Sequence, residues 1–291
     1  MFNEKKVKDL ILASLVTDAY CLGTHWIYDE NQLKNAPIDF NSLNNPLAMW
    51  HKGKSAGDFT HYGDQTYWLY EFIEENKEEE TYKKFDANAF LNFWTNKLPS
   101  YNGYVDGATR NTLENIKNNV SPSGSSSSDL SIVGRIAPLL LVSSNEQEFL
   151  ANVENFVVLT HNSQLAKTAS RFFAKVILDR FKGLGVIEAI EKNKESSDSQ
   201  IQGFVNQGLA SKNKVTFDAI REFGPACDIS GGFAGVIHLL CKYDNLKDML
   251  ISNAKAGGDS SARAMITSII FMIDKPMSQI PSSWLNIKVK I

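Results

Sequence analysis

Three aspartates carry the clearest chemical signal in this 291-residue chain. Asp64 and Asp259 each follow glycine, in Gly63-Asp64-Gln65-Thr66 and Gly257-Gly258-Asp259-Ser260, and each precedes an apolar run with helical spacing. The positive end of a helix dipole favours a carboxylate at such a place, and a simple capping role fits each residue equally well. Asp18 differs, because it shares one helical face with Val7, Leu10, Ile11, Ser14, Leu15, Ala19 and Leu22. A carboxylate on a buried face needs a partner. If the three converge on one hollow, they have the chemistry to orient water or hold a divalent cation. Spacing alone does not establish that convergence.

The five histidines are His25, His51, His61, His161 and His238, and no two have the H-x-x-x-H spacing of a zinc site. His238 lies beside an apolar helical face, as packed histidines do. His25, His61 and His161 fall in turns next to Trp26, Tyr62 and Asn162, where either binding or packing explains them. There is no G-x-S-x-G elbow for nucleophilic catalysis. Cys21, Cys227 and Cys241 have no C-x-x-C spacing and suit a reducing compartment. The glycine-serine loop at 124–128 reads either as a phosphate cradle at a helix start or as an ordinary flexible loop.

The elements that must position these residues are helical. The pattern predicts a first helix ending at Gly23, then a long connection over 34–63 that carries Trp50, His51, Phe59, His61 and Tyr62. Helices are predicted from about Asp64, over 86–97, and from a Ser128 N-cap through Ile136 to Leu140. More follow over 147–159, 164–181, 233–243 and 246–256, with a last one from about Ser261; 193–199 reads as a surface loop. Only Ile287, Val289 and Ile291 alternate as a strand would. The expectation is an all-α chain forming a single domain over 1–291.

Composition narrows the function classes. Hydrophobic residues at 43% and aromatics at 11% supply a core, so disorder is excluded. A net charge of −3 without a basic stripe argues against nucleic acid. The longest apolar run, 264–273, is too short to span a bilayer, and the charged beginning lacks a signal-peptide pattern. A cytoplasmic location is the expectation.

Taken in order, five segments resemble the ADP-ribosylglycohydrolase family across most of the chain. They are Leu15-Val16-Thr17-Asp18-Ala19, Gly63-Asp64-Gln65-Thr66, Gly134-Arg135-Ile136-Ala137-Pro138-Leu139, Leu159-Thr160-His161-Asn162, and Gly257 through Ala262. Gly23 through Asp29, Gly57 through Thr66, Gly103 through Gly107 and Gly258 through Arg263 are similar to the branch that includes jellyfish J-type crystallins.

The resemblance implies an orthogonal all-α bundle with a central cleft, in which magnesium assists hydrolysis of a glycosidic bond of ADP-ribose. Asp64 and Asp259 match the first aspartates of the family's two metal motifs. Gly63, Gln65, Ser261 and Ala262 replace a threonine, two further aspartates and a second threonine. Losing two carboxylates leaves at most one weak magnesium site on Asp64 and Asp259. The implied catalytic residues are Asp64, Asp259 and Asp18. The implied substrate-binding residues are His25, His61, Tyr62, Gln65, Ser128, Asp129, His161 and Arg263. Arg263, one turn past Asp259, is expected to supply positive charge to Asp259 or to a ligand phosphate. The expected partner is a small-molecule or ADP-ribosylated substrate, and the expected activity a glycosidic hydrolase. The retained polar residues of the Gly57 to Thr66 loop favour that hydrolase; the alternative, favoured by the lost ligands, is a silent ADP-ribose-binding or crystallin-like structural protein.

Overall fold

In the computed structural model, residues 2–79 and 81–291 are described, and among them the architecture is all-helical, without a named strand. The helices run in the order α1 (Glu4–Cys21), α2 (Glu30–Asn35), α3 (His61–Glu75), α4 (Ala87–Lys97), α5 (Gly107–Lys117), α6 (Ser131–Gly134) and α7 (Glu146–Thr160). Then come α8 (Gln164–Phe181), α9 (Val186–Glu195), α10 (Ser199–Ala210), α11 (Thr216–Phe223), α12 (Ile229–Lys242), α13 (Leu246–Ala256) and α14 (Ser260–Met272).

The centre is α14, whose thirteen residues are all buried. Apart from Arg263 it is apolar or small on every side, and a helix without a solvent face must be surrounded. Its most extensive neighbour is α1, and α6, α8, α12 and α13 cover the rest. Small residues let α1 and α14 approach closely: Thr17 Oγ1 lies 3.0 Å from Ser268 Oγ. Gly134 serves α6 in the same way, since a Cβ there would stand 2.8 Å from Met265 Cβ. Burial of Leu10, Ile11, Leu15, Ile266, Ile269 and Ile270 contributes about 1.5–3 kcal/mol for each side chain against the entropy of ordering the chain.

Caps fix where most helices begin. Asn3, Asp29, Thr60, Asp86, Asp106, Asn145, Ser163, Asp198, Asp228 and Asn245 each accept a backbone N–H of the following turn. Three sequence expectations need correction. Asp129, not Ser128, accepts the Ser131 N–H, and the segment it starts is one short helix followed by a 3₁₀ turn at Ala137–Leu140, where Pro138 removes a donor. Residues 193–199 are not one loop, because α9 continues to Glu195 and α10 begins at Ser199. The alternation of Ile287, Val289 and Ile291 forms no strand; Lys288 N instead donates to Gly57 O at 3.1 Å. Among the described residues no helix is long and apolar enough to cross a membrane.

Candidate functional site

Several helix ends meet beside the N-terminus of α14. The turn after α1 brings His25 and Trp26, the first turn of α3 brings His61 and Tyr62, and a 3₁₀ turn at Met49–His51 brings His51. The rings form one cluster: centroid separations are 4.8 Å for His25–Trp26, 5.2 Å for His25–His51, 5.2 Å for Trp26–His61 and 4.1 Å for His61–Tyr62. Tyr104 closes it at 5.0 Å from Trp26.

Backbone strain and glycine hold the turn after α1 in place. Trp26 adopts φ +63°, a left-handed conformation that bulky residues rarely take. Its N–H donates to Gly258 O at 2.7 Å, and Gly258 N donates back to Ile27 O at 2.8 Å. Both glycines of the Gly257-Gly258 turn have positive φ, and a Cβ on Gly258 would sit 2.2 Å from Pro225 O. Only glycine permits this approach, and it delivers Asp259 next to His25.

Asp259 is fully buried, and neither carboxylate oxygen has a hydrogen-bond partner. His25 Nδ1 lies 3.4 Å from its Oδ1 and accepts the Ser261 N–H at 3.4 Å, while His25 Nε2 has no partner. Burial, then the charge of Asp129, pushes the Asp259 carboxyl well above the usual range, although Arg263 and Tyr62 oppose them. Burial, then His51 and His61, holds the His25 imidazole well below its usual range. Burial thus biases both members of the pair toward their uncharged forms.

Asp18 does have the partner its position demanded. Its oxygens accept from Thr60 N at 2.8 Å and Thr60 Oγ1 at 2.7 Å, which ties α1 to the cap of α3. Burial outweighs these bonds and raises the Asp18 carboxyl to about 7. Gly63 leaves room for it, because a Cβ there would stand 2.4 Å from Asp18 Oδ2.

The two positions of the first metal motif are taken by the chain itself. Asp64 Oδ2 accepts from Lys54 Nζ at 2.6 Å and from Tyr101 Oη at 2.5 Å. Gln65 Oε1 accepts from Arg135 Nη1 at 2.6 Å and Trp94 Nε1 at 3.1 Å, and its Nε2 donates to Thr109 at 3.4 Å. Magnesium needs several oxygens around one point, anchored by carboxylates. Among the described residues no group of three or more His, Cys, Asp or Glu side chains is placed to hold a metal ion. The carboxylates whose charge bears on Asp259 are Asp129 and Asp18, and Asp64 faces Lys54. With Lys54 and Tyr101 on Asp64 and an amide at Gln65, the donor set does not fit the two-magnesium site of typical family members, the site that the exchange of two carboxylates had made unexpected here.

Most of the other expected residues join the same network. His61 Nε2 lies 3.3 Å from Asp106 Oδ2, although the pair lacks hydrogen-bond alignment. Burial works against ionisation of Asp106, but His61, Arg135 and Thr109 outweigh it and hold the carboxyl well below the usual range. Arg135 stands 5.4 Å over the Tyr62 ring. His161 is buried, its Nδ1 is 2.9 Å from Thr160 Oγ1, and burial followed by Arg135 lowers it to about 4. Its Nε2 has no partner. Ser128 donates to Asp228 Oδ2, and antiparallel pairing joins Asp129 to Asp228. Arg263 is fully buried: its Nε donates to Asn253 Oδ1 at 2.8 Å and its Nη2 to Gly257 O at 2.6 Å, which supports the Gly257-Gly258 turn, while its Nη1 has no partner and its charge opposes the rise of the Asp259 carboxyl.

Sequence reasoning did not count Lys54, Tyr101, Tyr104, Trp26, His51, Asp106 or Arg135 among the site residues. Asp106 was open to detection, since aspartate followed by glycine and a helical run marks an N-cap. Lys54 and Tyr101 carry no such signal, because their partner lies in another segment.

Residues 2–287 match the protein family described as ADP-ribosylglycohydrolase. The chain is 25% identical to crystallin J1A of Tripedalia cystophora, covering 97% of this chain and 91% of that protein. Crystallin J1B of the same animal is 23% identical over the same shares. Among solved structures, one titled "ADP-ribosylglycohydrolase-related protein complex" superposes with a TM-score of 0.66 at 17% identity, covering 96% of this chain and 92% of the other. That likeness shows the all-helical fold.

Proposed function

Because the chain belongs to the ADP-ribosylglycohydrolase family, in its crystallin-related branch, we propose that its polar centre binds an ADP-ribose-like ligand without the family's metal-assisted hydrolysis. One observation carries this reading. Buried polar atoms without a well-aligned hydrogen bond recur around this centre: His25 Nε2, His51 Nε2, His61 Nδ1, His161 Nε2, Arg263 Nη1 and the Asp259 carboxyl with its neighbours His25 and Tyr62. Leaving each such group unsatisfied costs about 1–3 kcal/mol. A core retained only for structural bulk has no reason to keep so many together. A ribose or a base offers hydroxyls and ring nitrogens that satisfy them, and the surrounding rings supply faces for stacking.

The metal positions support the silent half of the proposal. Asp64 is neutralised by Lys54, and Gln65 is held by Arg135 and Trp94. A second reading, slow metal-independent glycosidic hydrolysis, has Asp259 in its favour: a protonated carboxyl beside a neutral imidazole is suited to proton transfer and to orienting water. Asp18 would stand behind it.

The test is incubation with ADP-ribosylated substrates, with and without magnesium, following release of ADP-ribose. Binding without release is the expected result. Release at a steady rate supports the hydrolase reading. Neither binding nor release points to a structural, crystallin-like role and contradicts the proposal.

A further inference from the structure

We propose that the Lys54 ammonium is the resident cation of this centre, a tethered replacement for a divalent metal at Asp64. The inference shares with the proposed function the premise that the site works without a metal. It concerns which group took the metal's place.

The geometry is that of a built contact rather than a passing surface pair. Lys54 Nζ stands 2.6 Å from Asp64 Oδ2, and the two side chains are 18% and 15% exposed. Tyr101 donates to the same oxygen at 2.5 Å and lies with its ring 5.8 Å from the ammonium, so one side chain both shares the anion and faces the cation. Exposed ion pairs are weak because water screens them, and this pair is largely withdrawn from water.

The loop that delivers Lys54 is pinned at several points. Gly53 turns it with φ +89°, and Lys54 N donates to His51 O at 3.0 Å. Ala56 N donates to Asn45 Oδ1 at 2.9 Å, and Ser55 N donates to Asp58 Oδ2 at 2.7 Å. Lys288, far along the chain, adds a bond from Nζ to Asp58 Oδ2 at 2.6 Å and one from its backbone N to Gly57 O at 3.1 Å. A long lysine side chain loses much rotamer freedom when held, and a loop fixed on both sides of it reduces what remains to be lost. The electrostatics point the same way: burial raises the Asp64 carboxyl, and Lys54 is the foremost group opposing it. A divalent cation arriving at Asp64 would meet an ammonium already on its oxygen, and the two like charges repel. Arg135 holds the neighbouring Gln65 in a parallel way, so a cationic side chain faces each position of the first motif.

The experiment titrates Mn²⁺ into the wild type, Lys54→Met, Lys54→Arg and the double variant Lys54→Met with Asp64→Asn. Free Mn²⁺ is followed by electron paramagnetic resonance and the melting temperature by fluorimetry. The expected result is little Mn²⁺ binding by the wild type and Lys54→Arg, with a gain of about tenfold or more in affinity for Lys54→Met. The double variant is expected to lose that gain. The proposal is overturned if the wild type binds Mn²⁺ as tightly as Lys54→Met, or if a folded charge-free variant gains nothing. Lys54→Gln, which keeps a donor to Asp64, is read in the same way if Lys54→Met does not fold. ADP-ribose affinity is not part of this readout, so failure here is distinct from failure of the proposed ligand binding.

Discussion

His25 Nδ1 and Asp259 Oδ1 stand 3.4 Å apart, both side chains are closed to solvent, and the two rings nearest His25 belong to Trp26 and His51. Their protonation states follow from that enclosure. Burial favours the neutral form of each, which raises the carboxyl and lowers the imidazole.

Opposite pH slopes result. A carboxyl raised on folding makes the protein less stable as pH climbs from the unfolded value toward the folded one, and an imidazole lowered on folding makes it less stable as pH falls below about 6.5. Asp259→Asn keeps the shape and removes the ionisation. Its stability relative to the wild type is expected to improve steadily as pH rises above about 4. Asp18, raised from 3.8 to about 7, gives wild type and variant alike a slope of the same sign, up to roughly 4 kcal/mol across that interval, which cancels from their difference. Urea denaturation at a series of pH values measures this; a difference independent of pH contradicts the neutral acid.

Gly63→Thr would introduce the residue that the family's motif carries there. Here it is expected to destabilise by about 1–3 kcal/mol, because its Cβ meets Asp18 Oδ2 and Phe59 Cβ. Thermal melts check it. An unchanged melting temperature would mean that Asp18 moves aside freely, despite its two hydrogen bonds from Thr60.

Gln65→Asp would recreate a motif carboxylate without recreating a metal site. Arg135 Nη1, now 2.6 Å from Gln65 Oε1, is expected to pair with the new charge. Mn²⁺ titration should show no gain in binding relative to the wild type, in contrast to removal of Lys54. A gain would show that Arg135 does not neutralise this position.

Arg263→Ala is expected to cost about 3–5 kcal/mol, since it strips the buried support from Asn253 and Gly257 and removes the positive charge that opposes the rise of the Asp259 carboxyl. Denaturant melts measure the loss. A small loss of stability joined to a complete loss of ligand binding would favour direct ligand contact by Arg263.

Much of the frame was legible in the residues. Helices α8 and α13 begin and end where their apolar spacing and their Ser163 and Asn245 caps place them. Asp18 declared itself by lying on an apolar face, and its partner Thr60 is what that position required. The fit of Arg263 was not legible, because i to i+4 spacing gives the face of a helix and not what packs against it. Gly235 opposite Arg263 admits the side chain into the core, where a Cβ would stand 2.9 Å from Arg263 Cδ. Lys54 was hidden for a related reason. A single lysine in a connection over 34–63 is indistinguishable from a solvated one until the loop is closed against α3.

The most direct measurement is calorimetric titration of ADP-ribose into the wild type and Asp259→Asn, in excess chelator. Saturable one-to-one binding by the wild type with divalent ions removed, weakened in the variant, is the expected result. Binding that disappears with chelator and returns with magnesium would contradict a centre that holds its ligand by buried imidazoles, tyrosine and a protonated aspartate alone.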